Sequence, residues 1–117
     1  MIITAAFQNA EPLSQVVFVH DYVQFRFQDL VLSVFSRLTV SLNGRALKRH
    51  DPGFCDALVT LIEKRVVTTD YSEGEHMRLT FADDSLLNVS LRSEDAAGPE
   101  LFLLDRPGLP AVVGRVA

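Results

Sequence analysis

Alternation of apolar and polar residues, the period-two signature of a strand with one buried face, recurs along most of the chain. The clearest instance is Met77–Leu91, MRLTFADDSLLNVSL. Met77, Leu79 and Phe81 share a face, Asp83-Asp84 interrupt the pattern, and Leu87, Val89 and Leu91 resume it. Two alternating runs around a short acidic turn predict a β-hairpin. Upstream, QVVFVH from Gln15 is β-branched and aromatic, and VQFRF sets Val23, Phe25 and Phe27 against Gln24 and Arg26. Gln28-Asp29 predicts a reversal into LVLSVFS, where Leu30, Leu32 and Val34 share one face and Val31 and Phe35 the other. Apolarity on both faces predicts a central strand covered on both sides. Leu38, Val40 and Leu42 then alternate with Thr39 and Ser41 up to Asn43-Gly44, the dipeptide best suited to the positive φ angles of a type I′ turn.

The period changes once. Phe54, Leu58, Leu61 and Ile62 fall at the spacing of one helical stripe, predicting a helix over 52–64. Asp51 suits the cap, Pro52 the first helical position, and Asp56 and Lys64-Arg65 complement the dipole. After it, RVVTTDY reads as a strand, SEGEH as a polar connection, SEDAAGP as a loop and ELFLL as a short strand. Residues 1–14, with Ile2, Ile3 and Phe7, read as an edge strand or a docked arm, and AVVGRVA as an edge strand or a tail.

These elements predict an α+β fold, mainly antiparallel sheet, with about six to eight strands and one helix between two β-meanders. The boundaries are a first meander over 15–47, the helix, a second meander over 65–104 and a tail over 105–117, in a single domain. The meanders echo one another: VFVHDY at 17–22 against VVTTDY at 66–71, VQFRFQD at 23–29 against MRLTFAD at 77–83, and LSV at 32–34 against LNV at 87–89. Strand physics imposes a common pattern on all hairpins, so the echo alone does not establish a duplication.

Composition narrows the function classes. With 117 residues, 48% of them hydrophobic and 22% charged, the chain has the make-up of one folded globular domain. A net charge of −4 argues against a broad nucleic-acid surface, which needs clustered cations. A single cysteine, Cys55, excludes an intramolecular disulfide and fits a reducing compartment, and it reads as a small core residue. The N-terminal stretch has no signal-like pattern, and no apolar run approaches the ~20 residues that span a bilayer, so a cytoplasmic location is expected.

Chemistry-bearing residues are few. His20, Asp21, Tyr22 and His76 form the candidate ligand-binding set, because His20-Asp21 approaches His76 and Glu75 if the two meanders pair. Arg45, Lys48 and Arg49 form a basic cluster suited to an acidic protein partner. His50, Asp51 and Cys55 lack a diagnostic ligand spacing, and Asp83-Asp84-Ser85 lacks the further oxygen ligands and bend glycine of a calcium loop, so no metal is expected. The common nucleotide, zinc, redox and serine-hydrolase fingerprints are absent from the sequence, and neither a catalytic residue nor a cofactor is assigned.

The stretch LIEKRVVTTDYSEGEHMRLTFADDSLLNVSLRSEDAAGPE resembles the C-terminal half of a family of small uncharacterised bacterial proteins, and VQFRFQDLVLSV is similar to its N-terminal half. The shared pattern is a leucine-rich helix end, a valine strand, an alternating strand, an acidic turn, a V-S-L strand and a closing E-D-x-x-G-P-E. Glu63 stands where that family has a glycine. The resemblance implies the β-rich two-meander fold and no established activity. The leading expectation is therefore a small non-enzymatic binding module, homodimeric through an exposed strand edge or neutralising a protein partner, without nucleic-acid or membrane contacts. The alternative is a small-molecule-binding domain or enzyme with a cleft near His20 and His76.

Overall fold

The structure, a computed structural model, describes residues 2–116. It is α+β and mainly antiparallel sheet, with ten strands in two sheets of five. In chain order the elements are α1 (Ile2–Gln8), β1 (Gln15–Val19), β2 (Tyr22–Phe27), β3 (Leu30–Val34), β4 (Leu38–Leu42) and β5 (Arg45–Lys48). There follow α2 (Phe54–Val59), β6 (Val66–Ser72), β7 (His76–Phe81), β8 (Leu86–Ser90), β9 (Glu100–Arg106) and β10 (Leu109–Arg115). A 3₁₀ turn at Ser93–Asp95 lies between β8 and β9.

The first sheet has the order β1-β2-β3-β9-β10 and the second β5-β4-β8-β7-β6. Each is a three-stranded meander extended by a hairpin from the other half of the chain. The stretch expected as one meander over 15–47 thus divides, because β4 leaves β3 and pairs with β8. In return, β9 pairs with β3. The tail residues from 109 form β10, an edge strand of the first sheet. The exchange is related by an approximate two-fold: β1–β5 correspond to β6–β10, and α1 packs on β6 as α2 packs on β1 and β4. The β3–β4 crossover is tied to the strands of the other half of the chain. There the Phe35 and Ser36 amides donate to the Leu101 carbonyl at 2.9 and 3.2 Å, and the Ser90 amide donates to Arg37 at 2.9 Å.

Pairing registers also correct the echo. Phe25 pairs with Leu32 as Leu79 pairs with Leu87, so the match of 23–29 with 77–83 is structural. Val17, however, pairs with Gln24 as Asp70 pairs with Arg78, which makes Val17 the counterpart of Asp70 and not of Val66. Period-two patterns match at any even shift, so the VFVHDY and VVTTDY resemblance is out of register by four residues, 70 against 66.

Inner faces supply one continuous core, including Phe25, Phe27, Leu32, Phe102 and Leu104 from the first sheet and Val40, Met77, Leu79, Phe81 and Leu87 from the second. Tyr71 and Phe102 meet edge to face across the sheets, with centroids 6.4 Å apart. Burial pushes the Tyr71 phenol up, with Glu73 adding to the shift. Phe102 lies over Gly114, where an added Cβ falls 2.1 Å from its ring.

The helices differ from the expectation. The N-terminal stretch is not an edge strand but docks as a helix: Ile3 and Phe7, one turn apart, are buried, and Phe7 meets the Phe27 ring at 5.5 Å. The second helix covers Phe54–Val59 instead of 52–64. Its cap is Gly53 in the left-handed region (φ 88), while the Asp51 carboxylate accepts from the Lys48 amide at 2.9 Å. Tight turns then carry Leu61 into the core, and Glu63, at φ 79, occupies a conformation that suits glycine. Lys64 and Arg65 therefore serve other partners: Lys64 pairs with Asp83, and Arg65 donates to the Ala10 carbonyl and pairs with Glu11. Cys55 is exposed, not packed in the core, because it lies off the Phe54–Leu58 stripe.

Candidate functional site

Strand alternation that buries one face of each sheet turns the other outward, and the two outward faces are chemically unlike. Across the first sheet one row reads Val17, Gln24, Ser33, Leu103, Val113, a neighbouring row ends in Val19 and Tyr22, and another reads Gln15, Arg26, Val31, Asp105. Phe35 follows β3 on the same face, with its ring 5.3 Å from that of Tyr22. Val17, Val19, Tyr22, Val31, Phe35, Leu103 and Val113 are all half-buried. The polar members tie to each other: Arg26 Nε donates to Gln24 Oε1 at 2.9 Å, and Gln24 Nε2 donates to Ser33 Oγ at 3.0 Å.

The equivalent rows of the second sheet read Asp70, Arg78, Asn88, Thr39, Lys48, then Ser72, His76, Ser90, then Thr68, Thr80, Leu86, Ser41, Ala46. Here charge and hydrogen bonding prevail. His76 Nε2 lies 3.0 Å from Asp70 Oδ2, Arg78 Nε donates to Asn88 Oδ1 at 3.2 Å, and Ser90 Oγ donates to Asp95 Oδ2 at 2.6 Å.

At the end of the sandwich a cleft of about 360 Å³ opens between the β1–β2 turn, the β3–β4 crossover, the end of β5 and the start of α2. Asp21, Tyr22, Phe35, Arg37, Lys48 and Arg49 line it, with Phe54 and Asp95. Arg49 is held there by donating through Nη2 to the carbonyls of Val19 at 2.9 Å and His20 at 3.3 Å, so its guanidinium is positioned by the backbone of the first turn. Arg37 pairs with Asp95 at 3.6 Å, whereas Lys48 and Arg49 are in no ion pair among the described residues.

The structure therefore brings Asp21 and Tyr22 together with Lys48 and Arg49, two sets that sequence reasoning kept apart. It separates His20 from His76. The meanders do pair, but through β3 with β9 and β4 with β8, which leaves His20 at the β1–β2 turn of the first sheet and His76 on β7 of the second, where it lines a depression of about 190 Å³ with Glu75 and Arg78. His20 lines neither cleft, and Arg45 sits exposed beside the Asn43-Gly44 turn. A further cleft of about 440 Å³ lies between α1 and the β2–β3 and β9–β10 turns, lined by Ile2, Ala6, Leu30 and Leu109.

Sequence reasoning missed the outer face of the first sheet. Its one signal was the two-sided apolarity of LVLSVFS, which predicted a strand covered on both sides; β3 is central in its sheet, yet within the chain only its inner face is covered by the core. Among the described residues, no three His, Cys, Asp or Glu side chains converge as metal ligands, and no helix is long and apolar enough to cross a membrane. Comparison with protein-family models, curated proteins and solved structures finds no match to this chain.

Proposed function

We propose that this protein is a small non-enzymatic interaction module of the cytoplasm that engages a protein partner through the outer face of its first sheet. The observation that carries this reading is the contrast between equivalent positions. Val17 corresponds to Asp70, Tyr22 to His76, Leu103 to Thr39 and Val113 to Lys48. The fold tolerates polar residues at every one of these places, so the apolar choice on one face answers a requirement outside the monomer's own core. Apolar side chains left half-exposed on an uncovered sheet face mark interaction sites. Arg37 and Arg49, which line the cleft beside Tyr22 and Phe35 at its margin, supply the charged rim that steers a partner carrying acidic groups.

A photo-crosslinking residue placed at 103, and separately at 39, tests the reading in the native cell. Protein adducts from 103 and none from 39 are expected; equal yields, or none from either, reject it.

The cleft favours a second reading, in which Tyr22 and Phe35 hold the ring of a small aromatic carboxylate whose charge meets Lys48 and Arg49. Titration with benzoate, followed by amide chemical shifts, should then move residues 21–23 and 48–49 and leave 76–78 unmoved.

A further inference from the structure

We infer that the partner on the first-sheet face is a second copy of the chain, packed face to face about a two-fold axis running along β3. This rests on the reading that the face is covered by protein, and it names which protein.

Strand order makes the face self-complementary. β3 is the middle strand, flanked by β2 and β9, with β1 and β10 outermost. A two-fold along β3 sets β2 against the second copy's β9 and β1 against its β10. Charge then matches. Arg26 and Asp105 lie in one row on either side of Val31, so each copy's Arg26 faces the other copy's Asp105, and the pair forms twice. Within one chain neither side chain has an ion-pair partner among the described residues; Arg26 bonds only to Gln24, and Asp105 is exposed. The apolar groups match as well: Val17 opposes Val113, while Val31 and Phe35 meet their own copies at the axis. Gln24 opposes Leu103, and its amide is already satisfied at both ends by Ser33 and Arg26. Two sheets related this way lie within the aligned range of sandwich packing, about 30° apart in strand direction.

The strand edges, the expected route to a dimer, are guarded. β10 carries Pro110 and register shifts, β5 has 4 residues, α1 packs on β6, and α2 packs on β1. Self-association is thereby directed to the face.

Sedimentation velocity on the full chain at tens of micromolar tests this. The expected species has twice the 13.0 kDa monomer mass. Arg26→Asp and Asp105→Arg should each weaken the dimer by at least about tenfold, and the R26D/D105R double variant should restore it, since only the double variant re-forms both cross pairs. Thermal melts of all three confirm folding. A monomeric wild type overturns the inference, as does a dimer indifferent to both single changes or a double variant that is not restored. If the chain is monomeric while position 103 still crosslinks to other proteins, the interaction face stands and only the self-association falls. If position 103 captures nothing, both fall.

Discussion

The two sheets are built to one plan and finished differently. Each is a meander plus a borrowed hairpin, each turns an alternating apolar face inward, and the inner positions are interchangeable in kind: Val23 with Met77, Phe25 with Leu79, Leu32 with Leu87. Outward they diverge, Tyr22 against His76 and Leu103 against Thr39. Folding physics constrains the inner faces because both enclose the same core. It leaves the outer faces open, so the difference between them reports what each sheet meets.

That comparison breaks first at the core. Phe25→Ala and Leu79→Ala, at equivalent fully buried positions, should destabilise by about 3–5 and about 2–5 kcal/mol in urea unfolding, the cost of lost burial plus an unfilled cavity. Unequal losses, with one near zero, contradict the shared core. A sharper contrast comes from β10. Gly114→Ala presses a methyl into the buried Phe102 ring and should cost about 1–3 kcal/mol, whereas the counterpart position, Arg49, carries a full side chain into the cleft. A G114A protein melting with the wild type removes the close approach.

The meander turns offer a smaller test. In the β7–β8 turn Lys64, 2.5 Å away, and Ser85, through its side chain and then its amide, hold the Asp83 carboxyl down to about 2 from its usual 3.8; the β2–β3 turn at Gln28-Asp29 has no ion pair among the described residues. A pKa depressed in the folded state stabilises above the unfolded value and is lost as pH falls from 3.8 to about 2. Because the pair is solvent-exposed, Asp83→Asn should remove only roughly 0.2–1 kcal/mol at neutral pH and nothing below about pH 2. Melts recorded across that range show the convergence, and parallel curves contradict it. Smallest of all, Glu63→Gly relieves a left-handed backbone and should raise stability by a few tenths up to about 1 kcal/mol, while Glu63→Ala gives no gain.

Much of the local structure is legible in the chain. Val23, Phe25 and Phe27 announce their strand by alternation, and Asn43-Gly44 forms its turn with φ 52 and 80, as a type I′ hairpin needs. The stripe of Phe54, Leu58 and Leu61 is buried even though the helix is short. The site is less legible. Asp21 and Tyr22 stand beside Lys48 and Arg49 only because β4 and β5 cross to the other sheet, a placement no local spacing encodes.

By itself the sequence determined the strands, their inward faces, the sharpest turn and the α+β class, because period and turn chemistry act over a few residues. Tertiary structure alone decided that the hairpins exchange sheets, that Val17 answers to Asp70, that α1 is a helix packed on β6, and that His20 and His76 are separated. Those outcomes depend on pairings between distant segments, to which a period of two is indifferent at every even shift. Only with the pairing in hand did the two outer faces become comparable, position by position.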